Sequence, residues 1–174
     1  MIVLIPNQLL LALMGAYKIR NKPKRIHENP SDTRYTSNES IYENSEYHIM
    51  LKYPSSWIPN YHYNPPKYEG YDGYFQIGAI MGEGNDLDTV TRYDITHDMR
   101  PYGLRPTVRE ITVDGREGRI ITPSRDQATQ LQELSAIIVR YPEPILFDDE
   151  VYKYFILWAN ETFIEEIGES LRFI

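Results

Sequence analysis

The stretch that decides the fold is residues 46–57, EYHIMLKYPSSW. Apolar side chains recur at every second position from Tyr47 to Tyr53, which is the period of a β-strand with one wide apolar face. Pro54 predicts the end of this strand, because proline has no N–H to donate to a strand ladder. Trp57 follows closely and is expected to cover the apolar side chains beneath it. The sequence therefore predicts a half-buried strand that ends in an aromatic corner.

Apolar patterns in the rest of the chain predict further strands. Asp114-Gly115 separates two of them and is a strong two-residue hairpin signal. Pro142 and Pro144 are expected to form a turn after the strand that precedes them. The predicted strands are residues 40–44, 57–63, 74–81, 107–113, 116–122, 134–141 and 151–158.

Two helices are predicted between and after these strands. The first begins at a cap, Asn85 or Asp86, and extends to about residue 98. The second is capped by Asn160, and its apolar residues fall at helical spacing up to Ile174. Because short links join the strands, the expected fold class is α+β, with one antiparallel β-sheet flanked by two main helices.

Three parts of this pattern resemble PsbP-like domains. The motif YPSSW, residues 53–57, follows an alternating strand and is similar to the YPxxW motif of that family. A helix follows the strand at residues 73–77, and the last helix follows the strand at residues 152–158. The resemblance covers residues 40–174 and implies a layered arrangement in which an antiparallel sheet lies between helices. It also implies a small extracytoplasmic accessory protein, often of lipoprotein type and mostly without enzymatic activity.

Residues 1–40 are interpreted as an apolar and basic leader with a linker, ahead of a domain at residues 41–174. Residues 1–17 are mostly apolar, and a basic run follows at residues 18–25. Gly15-Ala16 is typical of a signal exit, with Ala16 at the place of a lipidated cysteine. The segment is expected to be a signal or anchor remnant that contacts a membrane through residues 1–25. A short amphipathic or buried helix and a true membrane span are the alternatives.

Charge and composition exclude several kinds of site. The formal net charge is −7, which argues against general nucleic-acid binding. Residues 1–40 carry six Lys/Arg and three Asp/Glu, whereas residues 41–174 carry twelve and twenty-two, so the domain is the acidic part. The chain has no cysteine, which excludes disulfides, thiolate metal sites and a cysteine nucleophile. No nucleotide, phosphate-loop or zinc-protease motif is present, so no cofactor is expected.

The candidate binding residues are aromatic side chains in a proline-rich stretch. Tyrosine outnumbers phenylalanine by 15 to 5, and tyrosines on proline-stiffened loops form contact surfaces at low entropic cost. This arrangement suits recognition of a protein, a peptide or a glycan, and the alternative is packing over the sheet edge. The candidates are Trp57, Tyr61, Tyr63, Tyr68 and Tyr71, with Tyr74 nearby.

Histidines and carboxylates supply the remaining candidates. His97 lies between Asp94 and Asp98 near the end of the first predicted helix, where the three could bind a divalent ion or simply form a solvated helix end. Residues 148–150, DDE, could bind calcium or form a charged turn. His62 or His97, with neighbouring carboxylates, would support a small hydrolase or a metal-dependent enzyme.

The expected function is therefore a non-enzymatic accessory or binding module that uses the Tyr-rich loop as its contact face for a protein or peptide. Its expected localisation is extracytoplasmic or membrane-associated, and cytoplasmic is the alternative. A small hydrolase or metal-dependent enzyme and an intracellular protein-binding domain are the alternative functions.

Overall fold

The structure is a computed structural model that describes residues 39–174, apart from residues 83, 132 and 148. The leader predicted at residues 1–40 lies almost wholly outside these residues. Its signal, anchor and membrane-contact interpretations, and the domain boundary itself, therefore stay predictions.

The described residues form ten strands, two α-helices and one 3-10 turn. The strands are β1 (Glu39–Asn44), β2 (Ile49–Pro54), β3 (Ile58–Asn60), β4 (Lys67–Glu69), β5 (Tyr74–Ile80), β6 (Thr107–Val113), β7 (Arg116–Thr122), β8 (Leu134–Phe147), β9 (Glu150–Asn160) and β10 (Arg172–Phe173). The helices are α1 (Leu87–Ile95) and α2 (Ile164–Ser170), and the 3-10 turn is Thr129–Leu131.

These strands form two antiparallel sheets. The small sheet has the order β1-β2-β10, and the large sheet has the order β3-β4-β5-β9-β8-β7-β6. Every strand pair is antiparallel, so the predicted α+β class is confirmed. The strands divide between two sheets where a single sheet was expected, because β1 and β2 pair with each other and not with a strand of the large sheet. The last helix ends before its expected limit, because the chain after Leu171 becomes extended and pairs with β2.

The large sheet is covered on both faces, which gives the layered arrangement. On one face, buried side chains pack with the small sheet and α2, and these include Leu51, Phe75, Ile137, Phe155, Leu157, Ile164 and Ile167. On the other face the buried side chains pack with α1, and these include Leu87, Val90, Tyr102, Ile138, Ile156 and Trp158. Arg119 of β7 also donates to the Asp88 carboxylate of α1 at 2.7 Å. The two helices therefore lie on opposite faces of the large sheet.

The strand predicted within residues 46–57 is β2, and it ends at the expected proline. Ile49 and Leu51 are fully buried in β2, and the strand ends at Pro54. The Trp57 N–H donates to the Pro54 carbonyl at 3.0 Å, which closes a turn directly after the strand. Trp57 is buried, and its ring lies edge-on to Phe163 with centroids 4.9 Å apart. The aromatic corner is therefore confirmed as part of the core.

Prolines in β8 do not end that strand as expected. β8 continues through Pro142 and Pro144 to Phe147, and its register against β9 shifts between Arg140 and Ile145. A register irregularity accommodates proline, because a bulged residue leaves the ladder and needs no N–H bond there.

Helix caps were predicted correctly for α1 and wrongly for α2. The Asp86 carboxylate accepts from the Thr89 N–H at 2.7 Å, and α1 then ends three residues before the expected limit. The N-cap residue of α2 is Phe163, which makes no side-chain cap bond. Asn160 is the last residue of β9, and its side chain accepts from the Tyr74 N–H instead.

Gly168 of α2 lies against the large sheet, where a β-carbon would overlap Cδ1 of the buried Ile137. We expect Gly168→Val to lower the free energy of unfolding by about 1–3 kcal/mol, the usual cost of overpacking a core. Glu169→Val is the matched control, because it places the same side chain on the exposed side of α2. Urea denaturation measures both variants, and an equal loss in the control would contradict this account.

Candidate functional site

Tyr71 projects from a turn that is packed tightly against the corner. The Gly70 N–H donates to the Gly73 carbonyl at 2.8 Å, and the Trp57 Nε1–H donates to the Asp72 carboxylate at 2.8 Å. A β-carbon at Gly70 or Gly73 would overlap the Trp57 ring, so the turn approaches the indole as closely as glycine allows. Tyr71 itself is 96% exposed. Contacts with Trp57 therefore hold the turn in place, while the Tyr71 side chain faces solvent.

A cleft of about 870 Å³ lies beside this turn. We name it the Tyr71 cleft. One wall is the turn, and the other is the loop between β7 and β8 together with the end of β9. Its lining residues are Glu69, Gly70, Tyr71, Asp72, Gly73, Tyr74, Pro123, Ser124, Arg125, Gln127, Ala128, Thr129, Glu133, Asn160 and Glu161.

Asn160 joins the two walls at the bottom of the cleft. Its side-chain oxygen accepts from the Tyr74 N–H at 3.2 Å, and its side-chain nitrogen donates to the Asp72 carbonyl at 3.5 Å. Glu161 follows Asn160, and its N–H donates to the Glu133 carbonyl at 2.9 Å. The end of β9 therefore holds the Tyr71 turn and the opposite wall at a set separation.

The loop at residues 123–129 is anchored from behind by Gln127. Its side-chain nitrogen donates to the Pro101 carbonyl at 2.7 Å and to the Leu134 carbonyl at 2.9 Å. The sequence interpretation missed this wall, because the loop is polar, has no apolar period and lies about fifty residues after Tyr71. The only local signal was the pair Pro123-Ser124 at a strand end.

The charges at the cleft are unevenly compensated. Lys67, buried behind the turn, is 3.2 Å from the Glu69 carboxylate, and its ammonium is 4.0 Å from the centroid of the Tyr74 ring. Burial lowers the pKa of Lys67, and the charge of Glu69 partly opposes this. The pKa of Tyr74 is raised by burial and then by the negative charge of Glu133. Glu69 is thus paired with a lysine of the fold, whereas Glu133 adds negative charge to the opposite wall of the cleft.

The five aromatic candidates separate into two groups. Trp57 and Tyr63 are buried, and Tyr68 is half-buried and stacks on Phe75 with centroids 5.0 Å apart. Tyr61 and Tyr71 are exposed, and of the five candidates Tyr71 lines the cleft. The first three therefore contribute to packing, and a binding role stays a prediction for the two exposed rings.

The metal candidates do not converge. Asp94 is buried and accepts from the Tyr102 hydroxyl at 2.6 Å, whereas Asp98 is exposed. His97 Nδ1 accepts from the Met99 N–H at 3.2 Å. Within residues 39–174 as described, no group of three His, Asp or Glu side chains could hold a metal ion. Residue 148 of the acidic turn lies outside the described residues.

The histidines proposed for a hydrolase lie away from the described clefts. Neither His62 nor His97 lines the Tyr71 cleft. A second cleft, of about 250 Å³, lies between β6 and α2 and also contains neither of them. The hydrolase alternative therefore has no support from the geometry of these two clefts.

Comparison with known proteins gives a distant likeness in structure. No protein-family model and no curated protein matches the sequence. Among solved structures, the chain is similar to cyanobacterial PsbP from Synechocystis sp. PCC 6803, with 12% identity and a TM-score of 0.44. The match covers 84% of this chain and 98% of that chain. A likeness at this level leaves membership of the PsbP-like family a prediction.

Membrane-spanning helices are not found in the part of the chain that the structure describes. The two α-helices there contain nine and seven residues.

Asp94 gives the stability a pH dependence of predictable sign. Burial raises its pKa from 3.8 to about 6, although the Tyr102 hydrogen bond and the charge of His97 act in the opposite direction. The folded chain therefore keeps a proton that the unfolded chain has lost, and the associated stability is lost as the pH rises through about 6. This contribution to stability is fully present below the pKa that Asp94 has in the unfolded chain.

We expect Asp94→Asn to gain about 1–3 kcal/mol of stability relative to the wild type as the pH rises from about 4 to about 7, because an amide carries no buried charge. Asp98→Asn, on an exposed residue nearby, is the control and should follow the wild type. Urea denaturation at several pH values measures all three. Parallel profiles for Asp94→Asn and the wild type would show that Asp94 does not titrate in this way.

Proposed function

We propose that this chain is a non-enzymatic binding module and that the Tyr71 cleft is its contact surface. The observation that carries the proposal is the exposure of Tyr71, at 96%, on a turn that Trp57 and two glycines hold in place. A tyrosine side chain has few rotatable bonds, so it loses little conformational entropy when a partner binds it. Tyrosine is also enriched among the residues that dominate binding energy.

The rigidity of the turn favours binding. A ligand that contacts Tyr71 does not have to order a loop, so less of the interaction energy is lost on association. The cleft volume of about 870 Å³ lies within the usual range of ligand sites, about 300–1,000 Å³. Hydrogen bonds from Asn160 and Gln127 keep the walls in place before a ligand arrives.

The location that we propose for this activity is outside the cytoplasm or at the membrane surface. Support comes from residues 1–17, which are mostly apolar and end in the signal-like exit Gly15-Ala16.

Tyr71→Ala is expected to weaken binding at least tenfold, because it removes the exposed ring without touching the core. The probes are a panel of short peptides and oligosaccharides, with affinities from calorimetry and the site mapped by amide NMR shifts. Tyr61→Ala is the control, since Tyr61 is exposed but does not line the cleft. Tyr63→Ala should instead lower the unfolding free energy by about 3 kcal/mol, as for other buried aromatic truncations.

The proposal fails if no member of the panel binds, or if shifts from every bound member map away from residues 69–74 and 123–129. It also fails if Tyr61→Ala weakens the same ligands as much as Tyr71→Ala does.

Cell fractionation followed by N-terminal sequencing tests the proposed location. We expect the protein in the extracytoplasmic or membrane fraction, because the apolar run at residues 1–17 and its small-residue exit would direct it there. Recovery in the cytoplasmic fraction with Met1 in place would contradict this and would favour the intracellular alternative.

A further inference from the structure

The Tyr71 cleft carries an excess of negative charge that the fold does not compensate. In the described lining, the charged side chains are Glu69, Asp72, Glu133, Glu161 and Arg125. Lys67 pairs with Glu69 from behind. Within the described part of the chain, Glu133, Glu161 and Arg125 make no ion pair. The carboxylates of Glu133 and Glu161 and the guanidinium of Arg125 are therefore available to a ligand, whereas one oxygen of the Asp72 carboxylate accepts from the Trp57 Nε1–H.

These carboxylates are spread over both walls. Asp72 belongs to the Tyr71 turn, whereas Glu133 and Glu161 lie on the opposite wall, joined through the hydrogen bond from the Glu161 N–H to the Glu133 carbonyl. The described residues contain no group of three that could chelate a metal ion. A spread of this kind suits a ligand with several cationic groups spaced along a chain.

The fold already contains one ammonium group in a setting of this kind. The Lys67 ammonium is held between the Tyr74 ring, 4.0 Å from its centroid, and the Glu69 carboxylate, 3.2 Å away. An aromatic ring and a carboxylate together stabilise a cation through charge–quadrupole attraction and a charge-assisted hydrogen bond. Tyr71 and Asp72 are adjacent and exposed in the lining of the cleft, so a ring and a carboxylate are also present there, although one Asp72 oxygen accepts from the Trp57 Nε1–H.

We propose that the Tyr71 cleft binds a basic peptide segment of a partner protein. Its lysine or arginine side chains would contact Glu133, Glu161 and Asp72, and one of them would lie on the Tyr71 ring. Arg125 is exposed and favours a peptide over a simple polyamine, because its guanidinium would repel a polyamine but can donate to a peptide carbonyl. This inference rests on the proposed function and names the class of its partner.

The test uses the full chain and a fluorescently labelled octalysine peptide. Octaglutamate, of opposite charge, and spermine, a polyamine, are the comparison ligands. Anisotropy titrations at about 20 mM and about 150 mM salt give the affinities and show how far salt screens the electrostatic attraction. Glu133→Gln/Glu161→Gln is the cleft variant. Glu43→Gln/Glu143→Gln is the matched control, because it changes the net charge equally at exposed residues outside the cleft.

We expect octalysine to bind and octaglutamate not to bind. The cleft variant should weaken octalysine binding at least fivefold, and the control less than twofold. Tyr71→Ala should weaken it as well. Arg125→Gln should tighten spermine more than octalysine, because both polycations lose a repelling charge and only the peptide also loses a charge-assisted donor to its carbonyl groups.

Equal weakening by the cleft and control variants would overturn the inference, because net charge alone would then explain binding. Spermine binding as tightly as octalysine would overturn the choice of a peptide. If octalysine does not bind but Tyr71→Ala abolishes binding of another ligand, the inference fails and the proposed function stands. If Tyr71→Ala weakens the binding of neither octalysine nor any other ligand, both the inference and the proposed function fail.

Discussion

The indole of Trp57 is the contact on which the rest of the structure depends. It is buried, packs edge-on against Phe163 at the start of α2, and donates its one N–H to Asp72. The strand β2, the Tyr71 turn and the last helix therefore share a single side chain. Because the buried N–H is satisfied, the indole carries no unpaired polar group, and the geometry around it is held without strain. A rigid corner of this kind allows Tyr71 to stay exposed yet ordered.

Those parts of the fold that depend on local chemistry were predictable from the sequence. Asp114-Gly115 requires a two-residue turn, so the hairpin of β6 and β7 has the predicted bounds. The parts that depend on pairing with a distant strand were not predictable. β8 continues past Pro142 because β9 pairs with it beyond a register shift, and Arg172 leaves the helical pattern because the edge of β2 accepts it. Neither partner is visible in the local sequence pattern.

The site was predictable in part and for the same reason. A proline-rich run of tyrosines indicated an aromatic surface, and the exposure of Tyr71 agrees with that expectation. Alternation could not tell which rings point outward, because the run contains turns rather than one regular strand. The opposite wall, with Glu133 and Glu161, is close to Tyr71 only through the pairing of β9 with β5 and β8. Asn160 was expected to cap a helix, and it instead connects the two walls.

The charge of the cleft is set by turns and strand ends rather than by the sheet. A buried ion pair such as that of Lys67 and Glu69 is not by itself a source of net stability, because desolvation offsets the attraction. Its effect here is to fix Glu69 and to cancel its charge beneath the cleft. In the described part of the chain, Asp72, Glu133 and Glu161 make no ion pair, and their side chains are exposed. Substitutions at Glu133 and Glu161 can therefore change which ligand charge the cleft prefers while the layers beneath keep the same packing, whereas a substitution at Asp72 would also remove the acceptor of the Trp57 Nε1–H.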